Sequence, residues 1–239
     1  MQPTTTDYSK LYIPAAIVIA GLIIGVFVMI GLSGGNFGGT GTPQAADVNI
    51  EDVDLTGDPY VGDENAPVVL AYWSDYQCPY CKAVEVGGVP QIPIEPSIRV
   101  LMEEYVNTGK LKIVFNDYAF LSEDSTTAAL YGRAVWELYP TKYFEWREAM
   151  YEAQDEEHGG FGNEATIMTL TRGISGIDAN AVKAKVAAKT AEYTALIEAD
   201  RAEGTKFGIQ GTPGFITGKV LIPGAVGPEE FRAAIDAQL

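Results

Sequence analysis

The sequence predicts an α/β domain that is interrupted by a block of helices and preceded by one membrane-spanning helix. Three observations carry this reading. An uncharged apolar run, Ile13 to Leu32, opens the chain. Two strand-like runs, Ala66 to Ser74 and Lys110 to Phe120, flank a shorter helical segment. Residues 123–203 then follow a helical pattern, after which a strand pair and a last helix close the chain.

The apolar run reads IPAAIVIAGLIIGVFVMIGL. About 20 residues rising 1.5 Å each span about 30 Å, one hydrocarbon core. A secretory signal has a shorter apolar core, about 7–15 residues, so residues 12–32 are expected to stay as an uncleaved anchor. Lys10 precedes the run, and the next basic residue is Lys82. The positive-inside rule then places residues 1–11 in the cytoplasm and the rest outside. Residues 33–59 begin SGGNFGGTGTPQAAD and read as a flexible linker, with a mean reach of about 30 Å. The formal charge of −16 repels phosphate backbones and argues against nucleic-acid binding.

Residues 60–239 are expected to form the globular domain. Ala66 to Ser74 is a mostly apolar run bounded by turn residues, the pattern of a buried strand. A helix is expected from Pro79, because proline suits a first helical position. Gly87, Gly88, Pro90, Pro93 and Pro96 end it. Helical spacing resumes from Ser97 to Asn107, with Gly109 as the stop, and Lys110 to Phe120 is a second strand. Residues 123–203 make about four helices, for which Asn163 and Asp178 are suitable N-caps. The strands FITG and KVLIPG turn at Gly218-Lys219, and a helix from Pro228 to Gln238 follows. Trp73, Trp136 and Trp146 are expected in the core or along a groove. His158, in DEEHGGFGN, is expected in a solvated turn.

Cys78 and Cys81 are the only cysteines. A disulfide across so small a loop removes little unfolded-chain entropy, so it makes a poor staple. Zinc needs four ligands, and neither a second cysteine pair nor a nearby histidine is present, so no metal is expected. Redox chemistry explains the spacing. A thiolate forms a mixed disulfide with its substrate, and a second nearby thiol resolves it. A strand-to-helix junction puts the first sulfur at free N–H groups, which favour the anion. Cys78 is thus expected to be the exposed nucleophile, and Cys81, one turn in, the resolving partner.

A second feature lies far along the chain. Thr212-Pro213, in GIQGTPGFITGKVLIPG, immediately precedes the strand pair. Together with the cysteines it resembles the thioredoxin superfamily, and more closely the DsbA-like thiol–disulfide oxidoreductases. The matching pieces are YVGDENAPVVLAYWSDYQCPYC, YVNTGKLKIVFNDY, EADRAEGTKFGIQGTPGFITGK and GPEEFRAAIDAQL. The resemblance implies a thioredoxin fold over 60–122 and 204–239, with residues 123–203 as an inserted helical domain. It also implies that Pro213 is cis and packs beside the cysteines, and that the Thr212 backbone pairs with extended substrate. Pro79 and Tyr80 complete the implied site, with no cofactor. The implied function is a membrane-anchored extracytoplasmic oxidase of exported proteins, reoxidised by a membrane protein similar to DsbB or a VKOR-like protein. A reductase fed by a transmembrane donor, and a non-enzymatic peptide-binding module, remain alternatives. Glutaredoxins share the Cys-Pro-Tyr-Cys tetrad but lack the anchor and the helical insertion.

The sequence departs from the family in three places. The family commonly buries an acid six positions before the nucleophile, where this chain has Tyr72. A phenol, with a reference pKa of about 10, is not ionised near neutral pH. Asp75 is expected to cap or to be solvated rather than to act as a base. Second, the family often carries Pro-His between the cysteines, where this chain has Pro-Tyr. Tyr80 brings no positive charge to the thiolate, so a couple less oxidising than DsbA is expected. Third, the proline-rich stretch from Gln91 to Ser97 reads as an inserted surface loop.

Overall fold

The computed structural model describes residues 48–155 and 159–239. The expected cytoplasmic tail, the anchor, most of the linker and His158 lie outside the described residues. No helix among the described residues is long and apolar enough to cross a membrane.

The run expected as the first strand forms β2 (Val68–Ser74), the middle strand of a five-stranded sheet ordered β1-β3-β2-β4-β5. Its side chains alternate between two apolar layers, as the period of two requires. Val68, Leu70 and Tyr72 enter the main core, whereas Ala71 and Trp73 enter a smaller one on the opposite face. β3 (Leu111–Asp117) pairs parallel with β2, and β4 (Gly214–Thr217) pairs antiparallel on its other side. β5 (Val220–Pro223) closes the hairpin around Gly218-Lys219, where φ is +53° at Gly218. β1 (Tyr60–Val61) adds a short antiparallel edge to β3. At two residues it carries too little pattern to be read from sequence.

α1 (Pro79–Glu85) follows β2. The expected helix from Ser97 divides into α2 (Ser97–Leu101) and a π-helical turn (Met102–Val106). The helical insertion comprises α3 (Glu123–Leu138), α4 (Tyr143–Ala153), α5 (Glu164–Gly173) and α6 (Ala179–Lys206). Asn163 and Asp178 cap α5 and α6 as expected, each accepting backbone N–H bonds. α6 bends at Lys189, which lies beside the Thr190 hydroxyl that donates to the Val186 carbonyl (2.7 Å). Such back-bonding often bends helices. α7 (Pro228–Asp236) completes the chain and buries Phe231 and Ile235. Trp73 and Trp146 are fully buried, and Trp136 packs against the main core.

The linker boundary needs correction. Residues 48–59 pack onto the domain: Val48 and Val53 are buried against Trp73, and a short 3-10 turn (Ile50–Asp52) hydrogen-bonds the Gly218 carbonyl. Asp58 is buried on Arg133 of α3 (2.7 Å). The GT-rich composition that begins the stretch hides two valines spaced to cover the second face of the sheet.

Candidate active site

Cys78 is the N-cap residue of α1, and Pro79 is its first helical residue. An extended backbone at Cys78 (φ −79°, ψ 119°) turns β2 into the helix, so its sulfur lies at the helix mouth. The Cys78 N–H is held by the Asp75 carbonyl (3.1 Å), and the Cys78 carbonyl accepts the Lys82 N–H (3.1 Å). Gln154, just beyond α4, donates its amide to the carbonyls of Tyr76 (2.7 Å) and Cys78 (3.2 Å). The helical insertion thus reaches across to fix the active-site turn.

The Thr212-Pro213 peptide is cis, and its loop lies against Cys78. The Cys78 thiol donates to the Thr212 carbonyl at 3.3 Å across 134 positions of sequence. Cys78, Cys81, Thr212 and Pro213 therefore meet at one place, with Pro79 and Tyr80 on its rim. Exposure departs from expectation. Tyr80 is 53% exposed, but Cys78 retains only 4% and Cys81 none. The Thr212 carbonyl lies directly against the Cys78 sulfur and contributes to this burial. A depression of about 280 Å³ is lined by Gln210, Thr212, Pro213 and Pro223 among others, next to Cys78 through Thr212. Another of about 530 Å³ is lined by Pro79, Lys82, Val89, Pro90 and Gln154. The glycine-proline stretch after α1 thus forms part of the rim through Val89 and Pro90.

The two thiols are pushed in opposite directions. The Cys78 pKa falls to about 7, chiefly because the Cys81 thiol hydrogen-bonds its anion. The Thr212 side chain and the N–H groups of Tyr80 and Cys81 add to this, against the effect of burial. Burial, then the neighbouring Cys78, pushes Cys81 well up.

Tyr72, at the family's acid position, is fully buried and stacks on Phe215 (ring centroids 4.4 Å apart). Of the two roles expected for Asp75, it takes the capping of backbone N–H groups and not solvation. It is 1% exposed and accepts the N–H groups of Gln77 (2.8 Å), Phe120 (3.0 Å) and Leu121 (3.3 Å). It braces the loop after β3 against the active-site turn. Beneath Cys81 lies a group that sequence reasoning missed. Glu85 of α1 is fully buried, and its Oε1 takes two hydrogen bonds from Arg147 of α4 (2.8 and 2.6 Å). Arg147 also donates to Ser74 (2.8 Å) and lies over the Phe115 ring (4.2 Å). Burial pushes Glu85 above the usual carboxylate range although Arg147 opposes it. The available signal was the four-residue spacing from Cys81 to Glu85, which puts both on one helix face.

The thioredoxin family model matches residues 54–237. Disulfide bond formation protein D of Bacillus subtilis (strain 168) is 23% identical over 198 residues, covering 83% of this chain and 84% of its own. A probable disulfide bond formation protein D of Bacillus anthracis is 24% identical, covering 75% and 77%. Among solved structures, oxidised BdbD from Bacillus subtilis superposes with a TM-score of 0.66 at 22% identity, covering 77% of this chain and 94% of its own. The thiol-disulfide exchange protein α-DsbA2 from Wolbachia pipientis gives 0.65 at 27% identity, covering 77% and 88%.

Proposed function

Because the chain belongs to the thioredoxin family, we propose that it is a thiol–disulfide oxidoreductase that works by exchange through Cys78 and Cys81. Its direction is that of an oxidase for exported proteins. The observation that carries this reading is the asymmetry of the pair. One sulfur sits at the helix mouth, against the carbonyl that precedes Pro213, with its pKa lowered to about 7. The other is fully buried one turn behind it. The names of the Bacillus relatives support the oxidase direction.

A substrate thiolate attacks Cys78 Sγ of the Cys78–Cys81 disulfide, and Cys81 leaves as a thiolate. A second substrate thiol then attacks the mixed disulfide and displaces Cys78. Substrate gains the disulfide, and the pair gains two electrons and its protons. A low pKa makes Cys78 the better leaving group in the second step. Thr212 and Pro213 shape the groove for an extended substrate, and Tyr80 presents its ring at the rim. Residues 12–32 anchor the protein with its catalytic domain outside the cytoplasm. A membrane protein similar to DsbB or a VKOR-like protein reoxidises the pair, and the tether raises the local concentration of each partner near the other.

The test uses the full chain in its native membrane. A Cys81→Ala variant is expected to accumulate mixed disulfides with exported proteins through Cys78, and a Cys78→Ala variant to accumulate none. The wild-type pair is expected to rest as a disulfide. A resting dithiol would reject the oxidase direction in favour of a reductase. Absence of mixed disulfides would favour a binding module.

A further inference from the structure

The buried thiol raises a proton problem that the exchange mechanism leaves open. Cys81 must be a thiolate when the disulfide closes and must recover a proton after it opens. Its sulfur has no exposure through which water could serve. The carboxylate expected at position 72 is absent, since that residue is Tyr72.

Besides the Thr212 hydroxyl, the buried surroundings of Cys81 hold two polar atoms without a well-formed hydrogen bond: the Tyr72 hydroxyl and Oε2 of Glu85. Each would be costly to bury idle, since burial strips a polar group of its water without supplying a partner. They are neighbours. Arg147, which holds Glu85 Oε1, lies 5.1 Å from the centre of the Tyr72 ring, so the phenol and the carboxylate flank one guanidinium, and each shifts the other's pKa. Cys81 and Glu85 share one face of α1, a turn apart. The other charged or titratable groups acting on Glu85 come from α4: Arg147 pairs with its Oε1, Glu148 opposes its ionisation, and Glu85 in turn raises Tyr151. Oε2 is thus the side of the carboxylate that Arg147 leaves free.

We propose that Glu85, acting through the Tyr72 hydroxyl, takes and returns the proton of Cys81. This assignment rests on the redox reading of Cys78 and Cys81 given above. As the disulfide closes, the Cys81 proton passes to the Tyr72 oxygen while Tyr72 passes its own to Glu85 Oε2. The Cys81 thiolate attacks Cys78 Sγ of the mixed disulfide. The Cys78–Cys81 bond forms, the bond to substrate sulfur breaks, and the electron pair leaves on that sulfur as a thiolate. The pair is oxidised and the substrate reduced. Opening runs the same steps in reverse, and Glu85 returns the proton to Cys81. A carboxylate displaced from strand β2 to the active-site helix thereby serves a chain whose strand position holds a phenol.

The experiment follows reduced protein mixed with glutathione disulfide, quenched and resolved by mass between pH 5 and 9. Formation of the Cys78–glutathione mixed disulfide and its resolution by Cys81 are read separately. General acid–base groups contribute about 10²–10⁴-fold. Resolution at pH 6–7 is therefore expected to slow by at least about tenfold in both Tyr72→Phe and Glu85→Gln. Both variants should regain rate as pH rises, whereas the wild type stays nearly flat, and the first step should keep its rate. Glu85→Gln weakens a buried ion pair and can fail to fold. Tyr72→Phe removes only an unpartnered oxygen and keeps the ring stacked on Phe215. A folded Tyr72→Phe protein that resolves at the wild-type rate across the range overturns the assignment. A wild-type protein that forms no mixed disulfide overturns the redox reading beneath it instead.

Discussion

Cys78 and Cys81 differ in acidity because they differ in what reaches each sulfur. The Cys78 anion is favoured by Cys81, by the Thr212 side chain and by the first turn of α1, and Cys81 receives chiefly the effect of burial. The largest influence on Cys78 is the Cys81 thiol. Replacing Cys81 with Ala is therefore expected to raise the Cys78 pKa from about 7 toward the ordinary cysteine value of about 8.5. The pH dependence of iodoacetamide alkylation measures it. A pKa that stays near 7 would mean that the helix N–H groups and Thr212 suffice. The same residue scale explains the site's hidden member. Burial of Glu85 beside Arg147 is stable only because every Arg147 nitrogen meets an acceptor, whether carboxylate, serine hydroxyl or tyrosine hydroxyl.

Among the elements, β2 and α6 pack more closely than ordinary side chains allow. Trp73 of β2 is fully buried and donates its indole N–H to the Asp200 carbonyl of α6 (2.9 Å). Its ring lies over Gly204, where an added Cβ would meet Cδ1 and Nε1 at 2.8 Å. A Gly204→Ala change must therefore push α6 from the sheet or rotate a locked indole. Overpacking of this kind costs about 1–3 kcal/mol. Urea unfolding should show a lower midpoint with an unchanged slope, and a midpoint at or above the wild-type value would show that the indole moves freely. The loss should occur without change in Cys78 reactivity, since Trp73 faces the second core.

Across the whole molecule, two buried arginines of the helical insertion bind it to the sheet. Arg147 reaches Ser74 and Glu85. Arg133 reaches Asp58 ahead of β1, Asp117 at the end of β3, and Asp200 of α6. Three carboxylates around one guanidinium leave excess negative charge in a buried place. Burial raises Asp58 to about 6 and Asp200 to about 8, although Arg133 opposes both. A carboxyl with a raised folded pKa contributes stability in full below its unfolded value of about 3.9 and loses it as pH rises through the folded value. The Arg133 cluster is therefore expected to lower the melting temperature progressively between pH 5 and pH 8. Asp58→Asn removes one charge, and once the Asn116 amide turns over, the new amide N–H donates to Asn116 Oδ1 in place of the present bond from Asn116 Nδ2 to Asp58. That variant should lose about 1–3 kcal/mol of the pH dependence. Parallel melting curves for the two proteins would contradict the cluster's role.

Much of this was legible in the chain itself. The cysteine spacing, the alternation along β2, the proline at the start of α1 and the Asn163 and Asp178 caps are local signals, readable within a few residues. They determined the α/β class, the helical insertion and the cysteine pair as the centre of the site. The tertiary structure decided what depends on distant chain segments meeting. It set the near burial of Cys78 against the Thr212-Pro213 loop, the docking of residues 48–59 on Trp73, and the seating of Arg147 against Glu85. Burial and ion pairing at these places are set by neighbours outside the local segment: Val53 and Val48 lie 20 and 25 positions before Trp73, and Arg147 lies 62 after Glu85. No periodicity within one segment encodes which partner will be there.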